Sequence, residues 1–263
     1  MRLLAAAVLL LQVPAAPAAP AAPAAPADRA ELRAGLDTLY AGEFAAAAAH
    51  FERLAARDTT DPAPLVFQAG AYIWWASAKD SVDFGRDRID SLLGLSVARA
   101  RATGKGGDFW RATALGYRAR QRDLHGQSWG AAKDAKAMRD IYRRLLASDS
   151  SCVDCYLGLG VYHYGLARAG ALARLFAKII GLGSGSAETG IRYMRRVAQE
   201  GDLARVEATW VLAAALVREG ARDPAGRQVL QQEARGYVQR LADRYPANPV
   251  FRRFLREVAA PPP

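Results

Sequence analysis

From Asp28 onward apolar residues recur at intervals of three and four, and no stretch alternates with the period of two that a half-buried strand requires. Ala, Leu and Arg, all good helix formers, dominate the same region, so the pattern predicts an all-α chain. Turn and capping chemistry interrupts the periodic segments at Tyr40-Ala-Gly-Glu, Asp58-Thr-Thr-Asp-Pro, Thr103-Gly-Lys-Gly-Gly and His125-Gly-Gln-Ser. It does so again at Ser148-Asp-Ser-Ser, Gly181 to Ser186, Glu219-Gly-Ala-Arg-Asp-Pro and Tyr245-Pro-Ala-Asn-Pro. These breaks delimit paired helices.

Within the pairs a small residue repeats. The segment AELRAGLDTLYAGEFAAAAAHFERLAARDTTDP carries Gly35 in its first helix, Gly42 at the turn, Ala47 and Phe51 in its second helix and Pro62 after it. Such spacing resembles the tetratricopeptide repeat (TPR), in which small residues admit two antiparallel helices and an aromatic fills the gap. Gly70 follows Gly35 by 35 residues, near the family period of 34. Further first helices are FWRATALGYRAR with Gly116, CYLGLGVYHYG with Gly160, and ATWVLAAALVREG with Ala213 in the glycine position. The resemblance implies a right-handed α-solenoid of about five helical hairpins, with VFRRFLREVA as a terminal cap.

The units lengthen along the chain. Gly70 to Gly116 is 46 residues and Gly116 to Gly160 is 44, and in the fourth unit the first helix ends near Tyr164 while the second starts near Ala187. The intervening insertion places Leu172, Leu175, Phe176, Ile179 and Leu182 on one helical face, with Arg174 and Lys178 between them. That is a short basic amphipathic segment, suited to packing on the array, filling a partner's groove or lying on an anionic membrane. GVYHYG and ETGIRYMRRVA, on either side of it, are similar to the tetratricopeptide repeat protein 39 family.

The first residues change where such a scaffold is expected to work. Arg2 precedes an apolar run from Leu3 to Val13 and then small-residue triplets, the layout of a secretory signal peptide. We read residues 1–18 as that signal, 19–27 as an Ala/Pro-rich linker, 28–257 as the repeat domain and 258–263 as a tail. The expected location is the periplasm or cell envelope of a bacterium. The net charge of +10 suits anionic surfaces. Export argues against a nucleic-acid partner.

Candidate chemistry is sparse. Cys152 and Cys155 form C-x-x-C at the start of a helix, where an oxidising compartment favours a local disulfide or leaves two idle thiols. Redox exchange is the competing reading, but the helical context is not the βαβ setting of a thioredoxin-like motif. His50, His125 and His163 show no metal-ligand spacing, and neither ATGKGG nor GLGSGS completes a nucleotide-binding pattern. No cofactor, metal or catalytic residue is expected, and the chain is read as not an enzyme.

The TPR resemblance places partner contacts one, four and five positions after each first-helix glycine. Carried over, these are Leu36, Leu39 and Tyr40; Ala71, Trp74 and Trp75; Tyr117, Arg120 and Gln121; Val161, Tyr164 and Gly165; and Ala214, Val217 and Arg218. Among them Tyr40, Trp74, Trp75, Tyr117, Arg120, Gln121, Tyr164 and Arg218 are residue types favoured at binding hot spots. The expected function is an exported scaffold or adaptor that holds a protein or peptide in its concave groove. A peripheral membrane protein using the basic insert is one alternative, and a C-x-x-C redox protein is another.

Overall fold

The computed structural model describes residues 27–170 and 181–259. The signal segment, most of the linker, Leu172, Leu175, Phe176 and Ile179 of the insertion, and the last four residues lie outside that range. Eleven α-helices and one 3-10 turn (Gly104–Gly107) form the regular structure among the described residues, with no strand. In chain order the first six are α1 (Arg29–Tyr40), α2 (Phe44–Arg57), α3 (Ala63–Ala78), α4 (Arg86–Ala102), α5 (Asp108–Leu124) and α6 (Ser128–Ser148). They are followed by α7 (Cys155–Arg168), α8 (Ala187–Glu200), α9 (Arg205–Gly220), α10 (Arg227–Arg244) and α11 (Pro249–Ala259). Each packs on the next.

The helix starts follow local chemistry. Asp28 caps α1 by accepting from the Glu31 amide at 2.7 Å, while the Asp28 amide donates to the Glu31 carboxylate at 3.1 Å. This reciprocal box satisfies two amides that the first turn leaves unpaired. Ser186 caps α8 in the same sense, its hydroxyl accepting from the Thr189 amide at 3.1 Å.

Helix pairing follows the small residues unevenly. A Cβ at Gly35 would stand 2.5 Å from the Phe51 ring, so α1 and α2 approach as closely as they do only because Gly35 has none. Gly160 and Gly190 cross in the same way between α7 and α8, a Cβ on Gly190 falling 2.7 Å from the Gly160 carbonyl oxygen. Gly70 differs. The nearest atom to its Cβ position is Tyr117 Oη at 4.0 Å, so no close helix contact depends on that glycine.

Two apolar clusters hold the array. One joins α3–α7 through Leu65, Val66, Ile89, Leu93, Leu115, Ile141 and Leu159. The other contains residues from both ends of the chain, Leu32, Leu36 and Phe51 with Leu212, Leu216, Val238 and Phe251. The last helices therefore return against the first.

Named contacts make this closure. The Tyr40 ring meets Trp74 edge-on at 5.4 Å, and Phe251, fully buried, lies 5.6 Å from Trp74 and 5.8 Å from Trp210. Buried Asn248 donates from Nδ2 to the Tyr40 carbonyl oxygen at 2.9 Å and accepts from the Val250 amide at 2.9 Å. Tyr245 Oη donates to Asp37 at 2.6 Å, and Arg253 donates to the Ser77 carbonyl oxygen at 2.7 Å. At the start of α1, Arg29 and Arg33 both pair with Asp202, in the turn before α9. α11 thus seals a seam between chain ends rather than only ending a row of repeats.

Candidate functional site

The closure decides which of the inner positions remain accessible. Tyr40 and Trp74 lie in the aromatic seam, 3% and 6% exposed, with no ring face left for a partner. Gln121 is also buried. Trp75 is half-buried, stacked on Tyr72 at 6.1 Å and against Phe84 at 5.0 Å. Arg120 of α5 and Val161 of α7, by contrast, are exposed.

Near Arg120 the contact between α5 and α9 is polar. The Tyr117 hydroxyl donates to the Glu207 carboxylate, bridging α5 to α9, while the same oxygen faces Gly70 of α3. Loss of surrounding water pushes the Glu207 carboxyl above its ordinary pKa, against the opposing pull of the Tyr117 bond and the Arg120 charge. Arg120, one turn above Tyr117, reaches solvent yet sits deep enough in the concavity that desolvation lowers its pKa. It feels Glu207 electrostatically, but no ion pair forms between them.

A pH prediction follows from Glu207. Its folded-state pKa is raised, so the folded protein holds this proton more tightly than the unfolded chain. The contribution is fully present below the ordinary glutamate pKa and is lost as pH rises through the raised one. Glu207→Gln, which keeps an acceptor for Tyr117, should therefore raise Tm at pH 7 and bring no gain in acid. A melting series from pH 3 to pH 8, in which the variant's advantage failed to grow with pH, would refute this assignment.

α7 carries exposed positions without polar side chains. Val161 is 44% exposed, and at Gly165 the position of a Cβ opens into free space. α7 contacts both α5, which bears Arg120, and α9, which bears Arg218.

A separate cleft is rich in arginine. With a volume of about 550 Å³, it is lined by Tyr164, Arg168, Arg218, Ala221 and Arg222. Tyr164, 8% exposed, forms its inner wall, its hydroxyl donating to the Glu219 carboxylate at 2.9 Å and to the Ala215 carbonyl oxygen at 3.2 Å. Burial and that carboxylate push the Tyr164 phenol up to about 12. Arg168 grips Glu219 through two nitrogens and holds its carboxyl below the ordinary range. Arg218 and Arg222 carry no ion pair among the described residues, leaving two guanidinium groups free to take an anion.

The structure therefore places Tyr164 and Arg218 in one cleft, sets Tyr117 and Arg120 beside Glu207, and buries Tyr40 and Trp74 in the seam. The sequence reading missed Glu207, Arg168 and Arg222. A usable signal existed for the first of these, because Glu207, Trp210, Ala214, Val217 and Ala221 fall at helical spacing and share one face of α9.

The cysteines and histidines lie elsewhere. Cys152 and Cys155 are joined by a disulfide with Cα atoms 5.5 Å apart, and Cys155 is fully buried. His50 Nε2 is hydrogen-bonded to the Glu31 carbonyl oxygen at 3.0 Å, and His163 packs on Tyr162 and Tyr193. Among the described residues no three His, Cys, Asp or Glu side chains are grouped so as to hold a metal ion. Also among them, no helix is long and apolar enough to cross a membrane. Beyond the recess, Leu182 at the end of the insertion is buried, its carbonyl oxygen accepting from Arg139 at 2.7 Å and from the Tyr162 hydroxyl.

No family model, curated protein or solved structure matches this chain.

Proposed function

We propose that the chain is a non-enzymatic, exported, TPR-like α-solenoid that holds a protein or peptide of the cell envelope in the recess between α5, α7 and α9. The observation carrying this reading is that closure consumes the aromatic inner positions of the first units. Val161 and Gly165 of α7 stay exposed, and Arg120 of α5 and Arg218 of α9 enter no ion pair among the described residues. Exposed apolar positions with arginines on the neighbouring helices suit a segment with apolar side chains and nearby carboxylates, since guanidinium groups bind carboxylate through paired hydrogen bonds.

The test is capture from an envelope extract by the chain and by its Arg120→Gln/Val161→Ser variant. Both positions are exposed, so the variant should melt within a few degrees of the parent. A partner retained by the parent and depleted about tenfold by the variant, the loss of one strong contact, supports the recess. Equal retention by both would place the binding surface elsewhere.

A further inference from the structure

A further cleft opens on the side of α9 turned away from Glu207. Arg205 and Thr209 stand four residues apart on one side of the helix, and Glu207 falls on the other. The cleft, of about 370 Å³, lies between the C-terminal end of α8, the start of α9 and the last turns of α10. Three arginines line it, Arg205, Arg240 and Arg244, and no carboxylate does. The rest of its wall is largely apolar, with Ala198, Val206 and Leu241 beside Tyr237.

The carboxylates around this cleft are engaged elsewhere. Glu200 pairs with Arg196 at 3.2 Å and Glu233 with Arg195 at 2.8 Å. Asp202 holds Arg29 and Arg33, Asp243 accepts from Gln239 at 2.8 Å, and Glu207 accepts from Tyr117. Asp37 does reach a lining residue, 3.2 Å from Arg244, but both side chains are more than half exposed and water screens that pair. Arg205 and Arg240 enter no ion pair among the described residues. Uncharged partners hold them instead. Arg205 donates from Nε to the Gly201 carbonyl oxygen at 2.7 Å, and the Arg240 guanidinium lies over the Tyr237 ring at 4.8 Å. Two cations are thus ordered without being neutralised, so an anion that meets them finds part of the ordering cost already met.

We infer that this cleft binds a small phosphate monoester, its phosphate between Arg205 and Arg240 and its organic part against Tyr237, Val206 and Leu241. Charge and shape both favour phosphate over carboxylate. A phosphate monoester carries about −1.5 to −2 charge at pH 7, which two unneutralised guanidinium groups match, whereas a single arginine fork satisfies a carboxylate. Arg205 and Arg240 also come from different helices, so their donors reach the anion from two directions, as a tetrahedral group accepts them and a planar one does not. The volume exceeds what a phosphate group alone fills and lies in the range of small-molecule sites.

Calorimetric titration of the full chain with phenyl phosphate, inorganic phosphate and benzoate tests the assignment. Phenyl phosphate should bind with Kd below about 1 mM. Inorganic phosphate, which lacks the ring, and benzoate, which lacks the second charge, should each bind at least about fivefold more weakly. Arg205→Gln/Arg240→Gln should weaken phenyl phosphate binding at least about tenfold, the loss of two charge-assisted contacts. Both arginines are exposed, so this variant should melt within a few degrees of the parent. Arg196→Gln, at an arginine of α8 that does not line the cleft, should bind as the parent does. No binding by the parent, or binding undiminished in the double variant, overturns the site. Benzoate bound as tightly as phenyl phosphate overturns phosphate as its anion, and inorganic phosphate bound as tightly overturns the organic half.

Discussion

Phe251→Ala should destabilise the protein by about 3–5 kcal/mol, the range for removing a buried aromatic ring. Phe251 is fully buried and its ring touches Trp74, Trp210 and Tyr245, which come from three other segments of the chain. Large rings around the site cannot collapse into the space left behind, which puts the cost at the upper part of that range. For a chain of this length the fall in Tm should be roughly 10 °C. The damage should also be local first. α11 is held to α3 by this ring and by Arg253 on the Ser77 carbonyl oxygen, so limited proteolysis should reach the arginines of α11 sooner in the variant. Leu95→Ala, on an exposed face, is the matched control and should change stability by no more than about 0.5 kcal/mol. A Phe251→Ala protein that melted with the parent would mean that the chain ends do not share a core.

That closure is the part of the fold least legible in the sequence. Helix limits were readable because they are set locally: in Asp58-Thr-Thr-Asp-Pro, Asp58 accepts from the Thr60 amide and Asp61 from the Ala63 amide, both at 2.8 Å. The glycine at Gly35 likewise pointed to Phe51, sixteen residues on, within one hairpin. By contrast, Asn248 and Tyr40 are 208 residues apart, and nothing in the composition of either turn names the other. One clue was present in α3. Its segment PLVFQAGAYIWW is apolar around the whole helix, which is the mark of burial on all sides and not of a helix facing an open groove. That burial takes the Trp74 ring into the seam. Glu207 escaped for a related reason. It lies 90 residues from Tyr117, and only the reach of that side chain from α5 to α9 joins the two.

Asp154→Ala should cost about 2–4 kcal/mol, although Asp154 is a loop carboxylate. It accepts from the amides of Asp202 at 2.8 Å and Leu203 at 3.0 Å, and two inward-facing donors would be left without a partner. Those amides sit in the turn whose Asp202 side chain holds Arg29 and Arg33 of α1, so loosening that turn also loosens the return of α9 to the start of the chain. The disulfide enters here. Cys152 and Cys155 bracket Asp154, and the bridge fixes the backbone that aims its carboxylate. Closing so short a loop is worth about 2 kcal/mol through chain entropy alone, an amount independent of what residue 154 carries. If the bridge also positions Asp154, reduction must cost more in the parent than in Asp154→Ala, because in the variant there is no carboxylate left to misplace. Thermal melts of both proteins, oxidised and reduced, form the cycle that separates the two contributions. Equal losses on reduction would reduce the bridge to a loop staple; an excess of about 1 kcal/mol in the parent makes C-x-x-C the support of the turn that joins α8 to α9, and through Asp202 to α1.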